Sequence, residues 1–371
     1  MNLQIESFSS FSPELKEVWE KFEQHAECYF FQTFQWSKHW FDVVGNSEGY
    51  YATVLVVYDE GEIKMILPFA QKKKWGVKVI EWMGGIQTDY KAPLINPNFV
   101  FSEKDFAKTW KKISNILIAN GISYCFFENQ PQLIGNVQNP FYHFFTPYRI
   151  EYAHSVQLPN ETSEYFSTSV RKKILADSRR QRKRLGDLGK LGFLIADSKN
   201  LYDELTQVMI KQKQRRFLEM NVRNILANHK VQDFYASFQN SFLHCSGLKL
   251  NSTIIATHWG IVFRGRFYYL MPSFEGGVIG KYSAGRLLLE ELINWSIDNR
   301  CHTFDFTIGG ESYKKDWCEK EMAIGRSMFA LSFKGELMCK LLKIKQHAVD
   351  RIVKTKNIML IYRSLRKILR G

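Results

Sequence analysis

The sequence has no long apolar run. Uninterrupted stretches such as 54–58 and 358–362 are five residues long, far short of the roughly eighteen that a membrane-spanning helix requires. The opening residues, Met1-Asn2-Leu3-Gln4-Ile5-Glu6, carry neither the basic flank nor the apolar stretch of a secretory signal, so a cytoplasmic protein is expected. No CxxC pair occurs among the six cysteines, which excludes a disulfide framework and the usual zinc patterns. They read as reduced, mostly buried thiols. The nine histidines lack HxH and HxxxH spacing, and no metal site is expected.

What is present is a globular composition. Hydrophobic residues make up 45%, charged residues 24% and aromatics 15% of the 371 residues, enough apolar surface to exclude a mainly disordered chain. That length suggests two or three domains at roughly 100–200 residues each. The net charge of +14 is concentrated in two places, since residues 334–371 carry a balance of +9, residues 170–190 carry +7, and the rest sum to −2. Localised positive charge is an electrostatic footprint for phosphates, nucleic acid or an acidic lipid surface; a solvated helix face is the alternative.

Capping and periodicity then order the elements. Ser12-Pro13-Glu14 starts a helix to about residue 24, and a second helical pattern covers 33–44. Strands are expected at 51–58, 63–71 and 77–83, followed by a helix to 118 after Ser102-Glu103 and a strand at 123–128. The second half repeats this plan, with a leading strand at 191–196 and helices at 201–219 and 230–242. Strands at 247–250, 253–263 and 266–273, a helix from 283 to 299 and a strand at 303–306 follow. A strand at 326–333 precedes the basic tail. Repetition over about 150 residues predicts two similar mixed α/β domains, each with an antiparallel meander and a parallel crossover.

Three segments could carry chemistry. In Thr303–Trp317 a strand delivers Asp305, Gly309-Gly310 allows a tight turn, and Glu311, Tyr313 and Lys314 follow. Ligands sit beyond the carboxyl ends of such strands, where an acid orients a nucleophile and a lysine neutralises developing negative charge. A loop cap and a surface ion pair are the plainer reading of the same residues. Gly276–Arg286 joins a strand to a helix, and its small residues and free N–H groups suit a pyrophosphate. His258, in Ala256-Thr257-His258-Trp259-Gly260, is a general-base candidate or a core histidine.

Taken together, residues from about 155 to 335 resemble the GNAT-fold acyltransferase domain of CelD-type proteins of polysaccharide biosynthesis, related to the Fem-type peptidoglycan aminoacyl transferases. The likeness lies in the basic run from Ser169-Val170-Arg171-Lys172 to Gly189, in Met209–Arg215, in Ala256-Thr257-His258, in Ser283-Ala284-Gly285, and most specifically in Asp305-Phe306 to Gly309 to Tyr313-Lys314. Phe34-Gln35-Trp36, Leu67-Pro68-Phe69 and Gly84-Gly85 with Asp89-Tyr90-Lys91-Ala92-Pro93 extend it to the first half. It implies tandem GNAT-like α/β domains over 1–155 and 156–335. Beyond it, apolar residues at helical spacing among lysines and arginines make 336–371 a basic amphipathic helix, which lies on an anionic membrane surface or docks its apolar stripe on the second domain.

The implied activity is transfer of an acyl group, acetyl above all, from acyl-coenzyme A to an amine or hydroxyl of a sugar or lipid-linked glycan precursor. In the Fem branch a charged tRNA is the donor; a non-catalytic binding protein of the same fold is the remaining reading. His258, Asp305 and Lys314 are the expected catalytic residues. Tyr282, Ser283, Ala284, Gly285 and Arg286 are expected to hold the donor, and Asp89, Tyr90, Lys211, Gln214 and Tyr313 the acceptor.

Overall fold

Side chains that satisfy free N–H groups set the helix starts. Ser12, Ser102, Thr168 and Ser198 each accept the backbone N–H three residues ahead, from Leu15, Asp105, Arg171 and Leu201. The computed structural model describes residues 3–354. In the first half β1 (Leu3–Phe8), α1 (Pro13–Glu23) and α2 (Phe34–Trp40) precede the meander of β2 (Tyr51–Asp59), β3 (Glu62–Lys74) and β4 (Val77–Trp82). After β5 (Leu94–Ile95), α3 (Glu103–Ala119) crosses to β6 (Ile122–Pro131), parallel to β4. The hairpin of β7 (Leu133–Ile134) and β8 (Val137–Gln138) and the short α4 (Pro140–Phe144) lead into β9 (Arg149–Gln157).

The second half opens with α5 (Thr162–Tyr165), the basic α6 (Ser169–Gly186) and β10 (Leu191–Ile195). Helices α7 (Lys199–Glu219) and α8 (His229–Ser237) precede a second meander, β11 (Leu243–Leu250), β12 (Thr253–Phe263) and β13 (Arg266–Phe274). The short α9 (Gly277–Gly280) and then α10 (Ala284–Asp298) cross to β14 (Thr303–Ile308), parallel to β13. Strand β15 (Lys320–Ala330) and α11 (Phe333–Lys354) follow; residues 355–371 of the expected tail helix lie outside the described residues.

Both halves thus form the tandem GNAT-like α/β fold, and they share one thirteen-stranded sheet of order β1-β2-β3-β4-β6-β15-β9-β14-β13-β12-β11-β10, with β5 beside β3. The join is made by strands crossing between halves. Strand β15 pairs antiparallel with β6 of the first half and with β9, and β9 pairs with β14 of the second. Strand β9 and the first six residues of β15 are not evident in the sequence, because their partners are remote in the chain. Helices α7 and α10 cover opposite faces of β12 and β13. Along β13, Tyr268 and Met271 pack in the cluster that holds Leu205 and Met209 of α7, whereas Phe267 and Tyr269 pack with Leu287, Leu288 and Leu292 of α10.

The first half has no open cleft between its parallel strands. Pairing of β4 with β6 ends at Ile80/Cys125, and the space beyond is filled by Phe69, Trp82, Phe127 and Phe141, whose ring centroids lie 4.5–6.2 Å apart. Phe141→Ala therefore removes a fully buried ring and is expected to cost about 3–5 kcal/mol, read as a lower urea midpoint with an unchanged slope.

Candidate active site

The second half builds the same parallel pair but leaves it forked. Strands β13 and β14 pair at Arg266/Thr303, Phe267/Phe304 and Tyr268/Asp305, and the ladder stops there although β13 continues to Phe274 and β14 to Ile308. At the same point β14 bulges against β9, between Asp305 and Thr307, with Thr307 at φ +55°. Carbonyl groups that leave a ladder need new partners. The Lys314 ammonium supplies one, donating to the carbonyls of Phe306 (3.0 Å) and Ile308 (3.1 Å) while pairing with Glu311 (3.0 Å). Gly309 is required beside it. Its φ is +144°, and a Cβ there would fall 2.2 Å from the Glu311 carboxylate and 2.8 Å from Lys314 Nζ.

Asp305 sits at the crotch of the fork, fully buried. Its carboxylate accepts hydrogen bonds from Arg266 Nη1, the Tyr90 hydroxyl and the Thr307 amide, each at 2.8 Å. It joins β13, β14 and the first-half loop at one point.

Two adjoining cavities open from the fork. The larger, about 620 Å³, runs between the end of β13, the start of α10, α6, α7 and the 311–317 turn, and is lined by Ser283, Gly285 and Arg286 together with Leu288, Leu289 and Trp317. The smaller, about 200 Å³, reaches from the fork to the first half and is lined by Gln87, Asp89, Tyr235, Thr307 and Lys314. Lys213, Tyr269, Pro272, Glu311 and Tyr313 line both. At the mouth of the larger cavity Ser283 caps α10 from a left-handed conformation (φ +57°) with no side-chain hydrogen bond to the first turn. In the first turn of this fifteen-residue helix Arg286 and Leu287 donate to the Ser283 carbonyl, which leaves the amides of Ala284 and Gly285 for an anion. Beside them Arg286 pairs with Asp177 and keeps a buried Nε without a protein partner. These features fit the pyrophosphate of a nucleotide thioester.

The shared wall is electrostatically tuned. Gln212 braces α7 on the sheet, its Oε1 accepting from Thr257 Oγ1 (3.3 Å) and Ser273 Oγ (3.0 Å), and this sets Lys213 into the junction. Burial lowers the Lys213 ammonium to about 8, with Glu311 opposing and Lys314 reinforcing the shift. Burial lifts Asp89 to about 6, against the Thr307 hydroxyl and Lys314, which favour its charged form. Although burial works the other way, Lys314 holds Glu311 below its ordinary value.

Several expected site residues fall elsewhere. His258 is fully buried, stacked on Tyr269 (4.8 Å) and Phe267 (5.3 Å), with neither ring nitrogen hydrogen-bonded. Burial, then His244 and Lys213, hold it far below the usual histidine range, and it lines neither cavity. This corrects its reading as the base: it is an aromatic-core residue. Asp305 is corrected likewise, since its acceptors are taken up by the fork. Lys314 does line the smaller cavity, but carbonyls and Glu311 engage its ammonium, so oxyanion support from it is also corrected to a bracing role.

Among the donor-site residues, Ser283, Gly285 and Arg286 reach the cavity, whereas buried Tyr282 lies 5.1 Å beneath the Arg184 guanidinium and Ala284 packs inward. Gly285 is small for a different reason than expected, since a Cβ there would meet the Phe274 ring at 2.8 Å. Asp89 and Tyr313 line the smaller cavity; Tyr90 lies behind Asp305, Lys211 is exposed, and Gln214 bonds to the Leu226 carbonyl at 3.0 Å. Lys213 and Arg216 were missed. Their spacing with Met220, three and four residues, marks the cavity-facing side of α7.

Residues 172–315 match the family model of the acetyltransferase (GNAT) domain, the stretch that supplies α6, the fork and the 311–315 turn. These residues carry a GNAT-type domain, and the chain is an acyltransferase. In structure it is similar to FemX, with a TM-score of 0.61 at 10% identity over 91% of this chain and 99% of that one. It is also similar to a conserved protein of unknown function from Bacteroides thetaiotaomicron (0.51, 10%, 86% and 99%) and to L-PGS from Bacillus licheniformis (0.50, 11%, 85% and 91%). At such identities the likeness is one of fold. No curated protein matches the sequence. Among the described residues no cluster of His, Cys, Asp and Glu could hold a metal ion, and no helix is long and apolar enough to cross a membrane.

Asp305→Ala leaves the partly buried Arg266 without its counter-charge. A loss of about 3–5 kcal/mol is expected, seen as a depressed Tm in differential scanning calorimetry; an unchanged Tm with activity alone lost would assign Asp305 to chemistry instead.

Proposed function

We propose that the chain transfers an acyl group, acetyl in the simplest case, from acyl-coenzyme A in the larger cavity to an amine or hydroxyl in the smaller one. The acceptor class we favour is a sugar or polysaccharide precursor. The observation behind this reading is the shared wall: a thioester threaded from Ser283–Arg286 to Lys213 meets an acceptor entering past Asp89. In this reading 1–155 and 156–335 are two GNAT-like domains, of which the second holds the donor and the first closes the acceptor side.

Asp89, ionised at neutral pH, takes the proton from the acceptor as the new C–N or C–O bond forms. Protonated Lys213 faces the carbonyl oxygen, where negative charge develops before the C–S bond breaks and coenzyme A leaves as its thiolate. Free helix amides and Arg286 fix the donor's phosphates, and Tyr269 and Tyr313 shield the junction from water.

A charged tRNA is the second reading. It is favoured by the exposed cations Lys172, Lys173, Arg179 and Lys183 on α6, the helix that also brings Ile174 to the larger cavity. Calorimetry with acetyl-coenzyme A and with charged tRNA separates the two. Heat with the thioester, weakened tenfold or so by Arg286→Ala, supports the first reading; salt-sensitive binding of tRNA alone supports the second.

The two tuned groups predict a bell-shaped rate profile. The rate rises as pH passes about 6 and Asp89 loses its proton, and falls as pH passes about 8 and Lys213 loses its charge. Asp89→Asn removes the acidic limb, and Lys213→Met removes the alkaline limb with a loss of roughly a hundredfold in kcat, measured by thiol release from acetyl-coenzyme A.

A further inference from the structure

Helix α11 has two apolar faces. Met338, Cys339 and Leu342 turn inward onto Val79, Tyr124 and Met328. Phe333, Leu337, Leu341 and Ile344 turn outward and are 85%, 57%, 52% and 65% exposed. At 100° per residue these four fall in one strip opposite Cys339. Packing against the domain requires only the inward face, so the outward strip is an exposed patch with another use.

Its surroundings indicate which. Exposed lysines flank the strip on both sides, Lys343 and the Glu336-paired Lys340 on one and Lys334 and Lys345 on the other, an excess of three positive charges. Lys345 lies 5.9 Å from the ring of Trp75. That indole stands 68% exposed at the tip of the β3–β4 hairpin, next to Lys73 and Lys74 in sequence. An amphipathic strip, an exposed tryptophan and rims of lysine are what an interface between acyl chains and anionic headgroups selects. A second copy of the chain on this face would set lysines against lysines, and the basic 355–371 segment would do the same.

We propose that α11 and the Trp75 hairpin form a docking face for an anionic lipid bilayer, with the four outward apolar side chains seated among the acyl chains and the lysines on the headgroups. This face is remote in composition from the cavities and stands or falls independently of the donor's identity. The test is flotation of the full chain with vesicles rich in phosphatidylglycerol, beside vesicles of phosphatidylcholine alone. Wild-type protein floats with the anionic vesicles only, Leu337→Glu/Leu341→Glu weakens this roughly tenfold or more, and Trp75→Ala weakens it by a smaller factor. Both variants alter exposed side chains, and an unchanged Tm and thiol-release rate establish that they fold. Equal flotation of the double variant and the wild type would overturn the proposal, as would equal binding to both vesicle types. So would a wild-type dimer that the double variant converts to monomer with vesicle binding untouched.

Discussion

The contact of the partly buried Arg266 with the fully buried Asp305 is the constraint on which the second half of the molecule depends. Two parallel strands that stayed paired would close the sheet and leave no cavity between them. Here the last pair of the ladder is Tyr268/Asp305, and the Asp305 carboxylate gathers a guanidinium from β13, an amide from β14 and the Tyr90 hydroxyl at that point. A charge taken out of water is tolerated only when fully paired. Burial opposes the Arg266 charge, but Asp305 more than offsets this and holds the guanidinium above its ordinary value. The fork thus has a fixed apex, and Lys314 secures its free arm by bonding the carbonyls that the bulge exposes.

One supersecondary plan serves opposite ends in the two halves. In the first, the space past the last β4–β6 pair is packed with aromatic rings, and the first turn of α3 carries Glu103 and Asp105, with Ser102 already bonded to the Asp105 amide. Acidic side chains and a satisfied cap repel a phosphate. In the second, the corresponding space stays open, the first turn of α10 has no acid, and its cap is unbonded. Cap chemistry and packing therefore favour the second half for the proposed donor, while the first contributes Gln87 and Asp89 to the smaller cavity.

Much of this organisation was legible in the residues. Ser-Pro and Ser-Glu caps placed α1 and α3, alternation placed both meanders, and the repeat predicted two parallel crossovers. The Ser283–Arg286 entry could be singled out from its glycine content, and the Asp89 loop only through the resemblance to the CelD-type family. Strand exchange could not, since nothing local to 149–157 or 320–330 states which strand lies beside it. Side-chain roles at the fork were also hidden: Asp305 and Lys314 look alike whether they face a substrate or a carbonyl, and only burial with a complete set of partners distinguishes the two. Lys213 was overlooked in favour of Lys211 and Gln214, although the helical phase of Arg216 and Met220 points to it. His258 is ordinary in sequence and becomes inert only when Phe267 and Tyr269 enclose it.

The central claim is that the β13–β14 fork is the donor's seat, and hydrogen exchange with and without coenzyme A tests it most directly. The account predicts slowed exchange at the amides of 270–274 and 284–287, with those of 77–82 and 103–106 unchanged. Protection confined to the first half, or none at either fork arm when coenzyme A is bound, would contradict it.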